Sequence, residues 1–530
     1  MPHDRATERN LGAVHDPVAA SDPDRTALVD GETDERLSYG GFATRVARVA
    51  NVLADLGVGR DDRVLAFSPN DVRYLVTLLA VARLGAVPVP INLQLRREKL
   101  SAIVDDSGAS LAVVRPGPSV PDAVDAVLDD AAGVETVVVD GSPEACSLSE
   151  TRVVALTERL PAAADERAPV AVSADDPAIQ PYTSGSTGRP KGVVLTHGGV
   201  SWCTTAFTDH LDLDADDRGL VVTPLYHKNA MTGVVKPMLH RGGTVVLVPE
   251  FDSAAVVAAI DTYDVTYMTG VPAIYKRLVA DASALDAHDV SSMTWASCGS
   301  APVPASLVDS FSETFDADLL EVYGLTEGGP VVTHSPRTGS RKVGSAGVAL
   351  PGVETEIVDP ETGETCPPGE PGELLVASPG LGRYHDRPAA TRAAFELRDG
   401  RRVLHTGDLV RKDAAGYHYV VGRLDDMLVV GGENLYPAEV EDLLLTHDAV
   451  EDVAVVAVPH AEKGEAPVAF VVRATPVSEA ELKGYALDRG PAYAHPRRVF
   501  FAAELPLGGT GKIQTSKLRS IARARVDGEL

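Results

Sequence analysis

The sequence predicts an α/β protein in two unequal parts. A large N-terminal domain of layered α/β subdomains ends in a small β subdomain, and a small mobile α+β C-terminal domain follows. Three observations predict it. At 530 residues the chain exceeds what one hydrophobic core organises. Between residues 170 and 333, short β-branched runs alternate with helical patterns, which calls for a largely buried sheet with helices packed on it. Past Gly347 the texture changes to short strands and Gly/Pro turns, as in 359–372, and the segment after Asp425 has an alternation of its own.

Taken in order, residues 42–56 and 74–84 carry apolar side chains at helical spacing, while 63–67 and 111–114 read as strands. Strands are expected at 178–182, 192–196, 221–223, 244–248, 265–269 and 319–322. Helices are expected at 229–236, at 253–263 and at 272–280, where Pro272 occupies the first helical position. In the last part a helix at 437–445 precedes strands at 450–458 and 466–472 and a helix at 477–489. The boundary is placed at Asp425, dividing the chain into 1–424 and 425–530. There is no internal repeat and no low-complexity tract.

A net charge of −28 argues against nucleic acid as a partner, since phosphate backbones are repelled. No apolar run exceeds strand length, so no membrane span is expected, and residues 1–16 lack a hydrophobic signal core. The four cysteines, Cys146, Cys203, Cys298 and Cys366, have no metal-ligand spacing and fit reduced thiols of a cytoplasmic protein. Lysine is scarce, 11 against 37 arginines. Two causes stay open: a salt-rich cytoplasm, where screening makes so acidic a surface tolerable, or a genome rich in G and C.

Residues 182–192 read Y-T-S-G-S-T-G-R-P-K-G, packing three glycines, four aliphatic hydroxyls and one lysine between two strand-like runs. Glycines let backbone N–H groups approach an anion, the hydroxyls add donors and Lys191 supplies a charge, so the stretch reads as a phosphate cradle. The spacing G-x-x-G-x-x-K, with Gly192 after the lysine, is not that of a Walker A loop.

Six further segments matter: 224–231 (P-L-Y-H-K-N-A-M), 297–304 (S-C-G-S-A-P-V-P), 321–330 (E-V-Y-G-L-T-E-G-G-P), 405–409 (H-T-G-D-L), 422–439 (G-R-L-D-D-M-L-V-V-G-G-E-N-L-Y-P-A-E) and 506–513 (P-L-G-G-T-G-K-I). Together with the cradle, in this order, the chain resembles the adenylate-forming superfamily over almost its whole length. That superfamily comprises acyl-CoA synthetases, adenylation domains of peptide synthetases and beetle luciferases, and the stand-alone acyl-CoA synthetases are the nearest in type.

The resemblance implies a carboxylic acid attacking the α-phosphorus of ATP, with Mg²⁺ present, and an acyl-adenylate captured by the thiol of CoA. It implies that Thr183, Ser184, Gly185, Ser186, Thr187, Gly188 and Lys191 handle the β- and γ-phosphates. Thr326 is expected at the α-phosphate and Glu327 at Mg²⁺, a hard cation suited to carboxylate oxygen. Tyr323 should stack on adenine with Gly299, Ser300 and Ala301 on its other face, and Asp408 and Arg423 should hold the ribose. Lys512 is implied as the transition-state cation, His227 as a gating ring and Asp425 as a hinge. Gly431 and Gly432 are implied as one wall of a channel for the phosphopantetheine arm.

Asn229, Met231, Val271 and Val331 are expected to line the acyl pocket. The apolar ones favour an aliphatic or aromatic acid, and no acidic residue stands where an α-ammonium group would need one. Lys228 either pairs with a second polar group on the acid or snorkels outward. Cys298, Ala494 and Val429 depart from the family's frequent Ser, Lys and Lys, which touches fine positioning alone. No carrier domain follows Lys512 before Leu530, which favours free CoA. The expected function is an ATP-dependent acid–CoA ligase. Loading of a separate carrier protein, luciferase-like oxidation of an adenylate and a non-catalytic nucleotide binder are the alternatives. The expected partners are the acid, ATP and CoA, with a homodimer left open.

Overall fold

The structure, a computed structural model, describes residues 10–526 apart from 118, 119, 122, 150, 184–188, 282–284, 286, 461, 462 and 509–512. A nine-stranded sheet forms the centre of the large domain. Its order is Val348–Ala349, Thr333–His334, Asp318–Tyr323, Trp295–Gly299, Tyr267–Gly270, Arg218–Val221, Thr244–Leu247, Thr26–Asp30 and Arg36–Ser38. Its six central strands are parallel, and the pairings beyond them are antiparallel. Parallel strands are buried on both faces, which explains why they read as continuous β-branched runs and not as alternation.

A second sheet, wholly parallel, takes Val87–Pro90, Arg63–Phe67, Leu111–Val114, Thr136–Val139 and Arg152–Ala155 in that order. The two sheets share one apolar core, in which Tyr39–Asp55 and Val72–Arg83 are packed. Both helices start where a side chain caps them: Ser38 Oγ accepts from Gly41 N at 3.1 Å and Asp71 Oδ1 from Tyr74 N at 2.9 Å. The expected β subdomain is an antiparallel sheet of Glu354–Val358, Pro371–Ala377, Arg401–Lys412, Phe395–Arg398 and His418–Arg423. The small C-terminal domain has its own sheet, built from Leu428–Val430, Glu433–Leu435, Val450–His460, Gly464–Arg473 and Arg498–Ala502. Pro437–Leu445 and Glu479–Arg489 pack on it around a separate core.

Three expectations need correction. The strand expected at 178–182 is two pieces, Pro177–Ile179 and Tyr182–Thr183, because Pro181 has no N–H to give a ladder. The strand expected at 221–223 lies earlier, at Arg218–Val221, with Pro224 ending the extended run. The helix expected at 229–236 is interrupted. Lys228–Ala230 and Lys236–Arg241 are α-helical, and Met231–Val235 between them is a wider π-type turn. Pro237 cannot donate to the carbonyl of Gly233, and the Tyr267 hydroxyl donates to that carbonyl at 3.0 Å instead.

Among the described residues, no helix is long and apolar enough to cross a membrane.

Candidate active site

Open parallel sheets bind ligands beyond the carboxyl ends of their strands. The predicted residues gather there. Gly299 ends Trp295–Gly299 and lies opposite Val322, Tyr323 ends the next strand, and Val271 directly follows Tyr267–Gly270. At Gly299 the chains run so close that a Cβ would stand 2.3 Å from the Val322 carbonyl oxygen, so glycine is required. Ser300 next to it is held at φ +68°, a costly conformation for a residue with a side chain. Ala301 follows in the same turn.

The far wall comes from the antiparallel sheet. The long strand Arg401–Lys412 slips register between Glu373 and Leu375 of its neighbour, and Gly407 sits at φ +68° within the irregularity. Such bulges re-aim side chains. Asp408, 7 % exposed, accepts from the Tyr323 hydroxyl at 2.5 Å and lies 3.5 Å from the guanidinium of Arg423, its cross-strand partner. Burial first, and the Asp408 charge second, push the Tyr323 phenol well above its ordinary value, so it stays a donor.

Thr326 is buried and Glu327 half-buried in the short 3₁₀ turn Thr326–Gly328. Glu327 Oε1 accepts from the Tyr384 hydroxyl at 3.1 Å, and the Lys191 ammonium lies 5.0 Å above the Tyr384 ring. Burial and the Glu327 charge raise the Tyr384 phenol. Tyr384 thus joins a carboxylate to the lysine of the cradle. Sequence reasoning missed it, because nothing local marks a tyrosine that acts across 57 residues. The cradle's described ends are held as a hairpin, Thr183 opposite Lys191. Ser184, Gly185, Ser186, Thr187, Gly188 and Lys512 lie outside the described residues. Glu327 offers carboxylate oxygen, the donor a hard divalent cation takes, and fits Mg²⁺ that completes its shell with phosphate and water. No group of three or more candidate metal ligands occurs among the described residues.

The acyl side differs. A cavity of about 20 Å³, room for about one water, is lined by His227, Lys228, Met231, Thr232, Lys236 and Pro330 among others. His227 Nδ1 accepts from Asn229 N at 3.3 Å, capping the short helix. Of the four predicted pocket residues, Met231 lines this cavity. Asn229 instead turns its carboxamide oxygen to the Thr269 hydroxyl at 2.9 Å, and Val271 and Val331 are buried. Sequence reasoning singled out Lys228 and passed over Lys236, though the four-residue spacing Lys228–Thr232–Lys236 in an apolar stretch was a usable signal.

Asp425 is exposed in the short turn Leu424–Asp426 that joins the two domains' sheets. Gly431 and Gly432, at φ +66° and +93°, make the two-residue turn between Leu428–Val430 and Glu433–Leu435, a geometry that suits glycine. A Cβ at Gly432 would meet open space. An ion pair of 2.8 Å, Lys276 with Asp452, ties the Pro272–Ala280 helix to the C-terminal sheet.

Known proteins resemble the chain over nearly all its length. A family model described as AMP-binding enzyme matches residues 16–384, and one described as AMP-binding enzyme C-terminal domain matches 439–512. A feruloyl-CoA synthase of Amycolatopsis sp is 39 % identical over 517 residues, covering 96 % of this chain and 99 % of that protein. The long-chain-fatty-acid–CoA ligase FadD13 of Mycobacterium tuberculosis is 35 % identical, covering 98 % and 99 %. Among solved structures, ATP-bound MatB from Rhodopseudomonas palustris superimposes with a TM-score of 0.87 at 30 % identity, covering 97 % and 99 %.

Proposed function

The chain belongs to the AMP-binding enzyme family, and from that premise we propose that it joins a carboxylic acid to CoA at the expense of ATP. An acid oxygen attacks the α-phosphorus and pyrophosphate leaves. The CoA thiolate then attacks the acyl carbonyl and AMP leaves. The observation that carries the reading is the cluster at the strand ends, with Asp408 held between Tyr323 and Arg423 and Glu327 beside Tyr384 and Lys191.

Asp408 is suited to accept both ribose hydroxyls while Arg423 donates to the same sugar. Tyr323, Gly299, Ser300 and Ala301 bound a slot for adenine. Thr183, Lys191 and residues 184–188 take the outer phosphates and Thr326 the α-phosphate, and Glu327 would hold Mg²⁺, which when bound would supply positive charge to the phosphates. Lys512 bridges the acid and the α-phosphate as negative charge develops. His227 gates the acyl side, where Asn229, Met231, Val271 and Val331 stand. The part 425–530 turns about Asp425 against 1–424 between the half-reactions, so that Gly431 and Gly432 flank the pantetheine arm. The four free cysteines support a reducing, cytoplasmic setting.

The relatives' names speak of feruloyl, coumaroyl and long-chain acyl groups, so aryl and aliphatic acids are the substrates to test. Acid-dependent pyrophosphate release across a panel of such acids, with and without CoA, tests the reading. Turnover that needs both acid and CoA is expected. Release that ignores CoA would overturn CoA as the acceptor.

A further inference from the structure

Lys236 is 5 % exposed and begins the helix Lys236–Arg241, at the end of the wide turn Met231–Val235. It lines the cavity that His227, the predicted gate, and Pro330, next to the predicted pocket residue Val331, also line. Among the described residues its ammonium makes no hydrogen bond and no ion pair. The ionisable group acting on it is the Cys203 thiol, itself pushed up by burial and therefore neutral, and no carboxylate acts on it. Burial drives the lysine's own pKa down.

A lysine with a structural task reaches a carboxylate, binds carbonyls or carries its ammonium to the surface. Among the described residues Lys236 does none of these. A buried cation left without a partner is costly, and proteins keep such groups where a ligand supplies the missing charge. The rest of the wall agrees. Thr232 and Lys228 add polar groups at four-residue intervals, while Leu11, Ile179 and Leu195 are apolar. Apolar walls with a few convergent polar groups are the composition of a small-molecule site, and here those groups fit an acid that is apolar in the middle and polar at its far end.

We propose that Lys236 sets acid specificity, its ammonium receiving a second, distal oxygen of the acid, either a carboxylate or a phenol oxygen, while the first carboxylate meets ATP. The inference rests on the ligase reading. A cavity of about 20 Å³ adds that the acid is slender or that the walls part as it enters.

Two matched pairs of acids test it: hexanoate with adipate, and cinnamate with 4-hydroxycinnamate. CoA-dependent pyrophosphate release is measured for wild type, Lys236→Met and Lys236→Arg. The wild type is expected to favour the distal-oxygen member of one pair, and that pair tells carboxylate from phenol. Lys236→Met should lower the preference about 100-fold, chiefly through KM for that acid, because a site built around a polar group rejects the analogue lacking it. Lys236→Arg should restore part of the preference. A wild type that favours the plain acid in both pairs overturns the proposal, whatever the variants do. So does a Lys236→Met enzyme in which both members change alike. Absence of CoA-dependent release with every acid would instead overturn the ligase reading itself.

Discussion

The nucleotide side and the acyl side of the cleft are built on opposite terms. On the first, charges are satisfied before any ligand arrives: Asp408 has Tyr323 and Arg423, and Glu327 has Tyr384. On the second, Lys236 has no hydrogen-bond or ion-pair partner among the described residues and stands beside a cavity about the size of one water. The difference teaches where each kind of work is done. The groups of the nucleotide side are set rigidly on strand ends and a bulge. The acid varies, and the group that meets its far end is left for the acid to complete.

The largest effect belongs to the step that links the two sides. Lys512→Ala should slow acid-dependent pyrophosphate release by about 10²–10³-fold while ATP affinity holds, since the interaction is made in the transition state. Unchanged release would remove the lysine from the reaction. Next comes the nucleotide side. Asp408→Asn should weaken ATP binding by about 2 kcal/mol, roughly 30-fold, with the acid's KM little altered. An equal loss for both substrates would mean that Asp408 supports the fold and not the ribose.

The smallest effect falls on neither substrate and sharpens what Lys236 means. Glu441 in the C-terminal domain is another largely buried ionisable group. Burial first, and the charges of Asp442, Asp452 and Asp426 after it, raise its pKa to about 7 against the opposing pull of the Val455 N–H bond. Between the unfolded value of about 4.5 and the folded value of about 7, the native state holds the extra proton, so stability falls as pH rises through that window. Glu441→Gln should therefore raise stability at pH 8, by on the order of 1 kcal/mol, and give no gain below pH 4.5. Thermal melts at the two pH values check this, and a gain that does not depend on pH would contradict it. Turnover should stay as in wild type.

How much of this the sequence disclosed follows the same division. Helices Ser253–Tyr263, Pro272–Ala280 and Pro437–Leu445 were legible to the residue, because apolar spacing and an initial proline mark them locally. The strand ends that carry Gly299 and Tyr323, and the bulged strand that carries Asp408, were legible as motifs. What escaped depended on distant partners. The Tyr384–Glu327 bond joins segments far apart in the chain, and the wide turn at Met231–Val235 needs both Pro237 and the Tyr267 hydroxyl. Lys236 lies in plain view of the sequence, yet its burial is a property of packing.

The division of labour is tested most directly by calorimetric titration of Mg²⁺–ATP into acid-free wild type, Asp408→Asn and Lys236→Met. The account predicts that the wild type binds ATP without acid, that Asp408→Asn binds it about 30-fold more weakly, and that Lys236→Met matches the wild type. ATP binding that requires the acid, or that weakens in Lys236→Met, would contradict it.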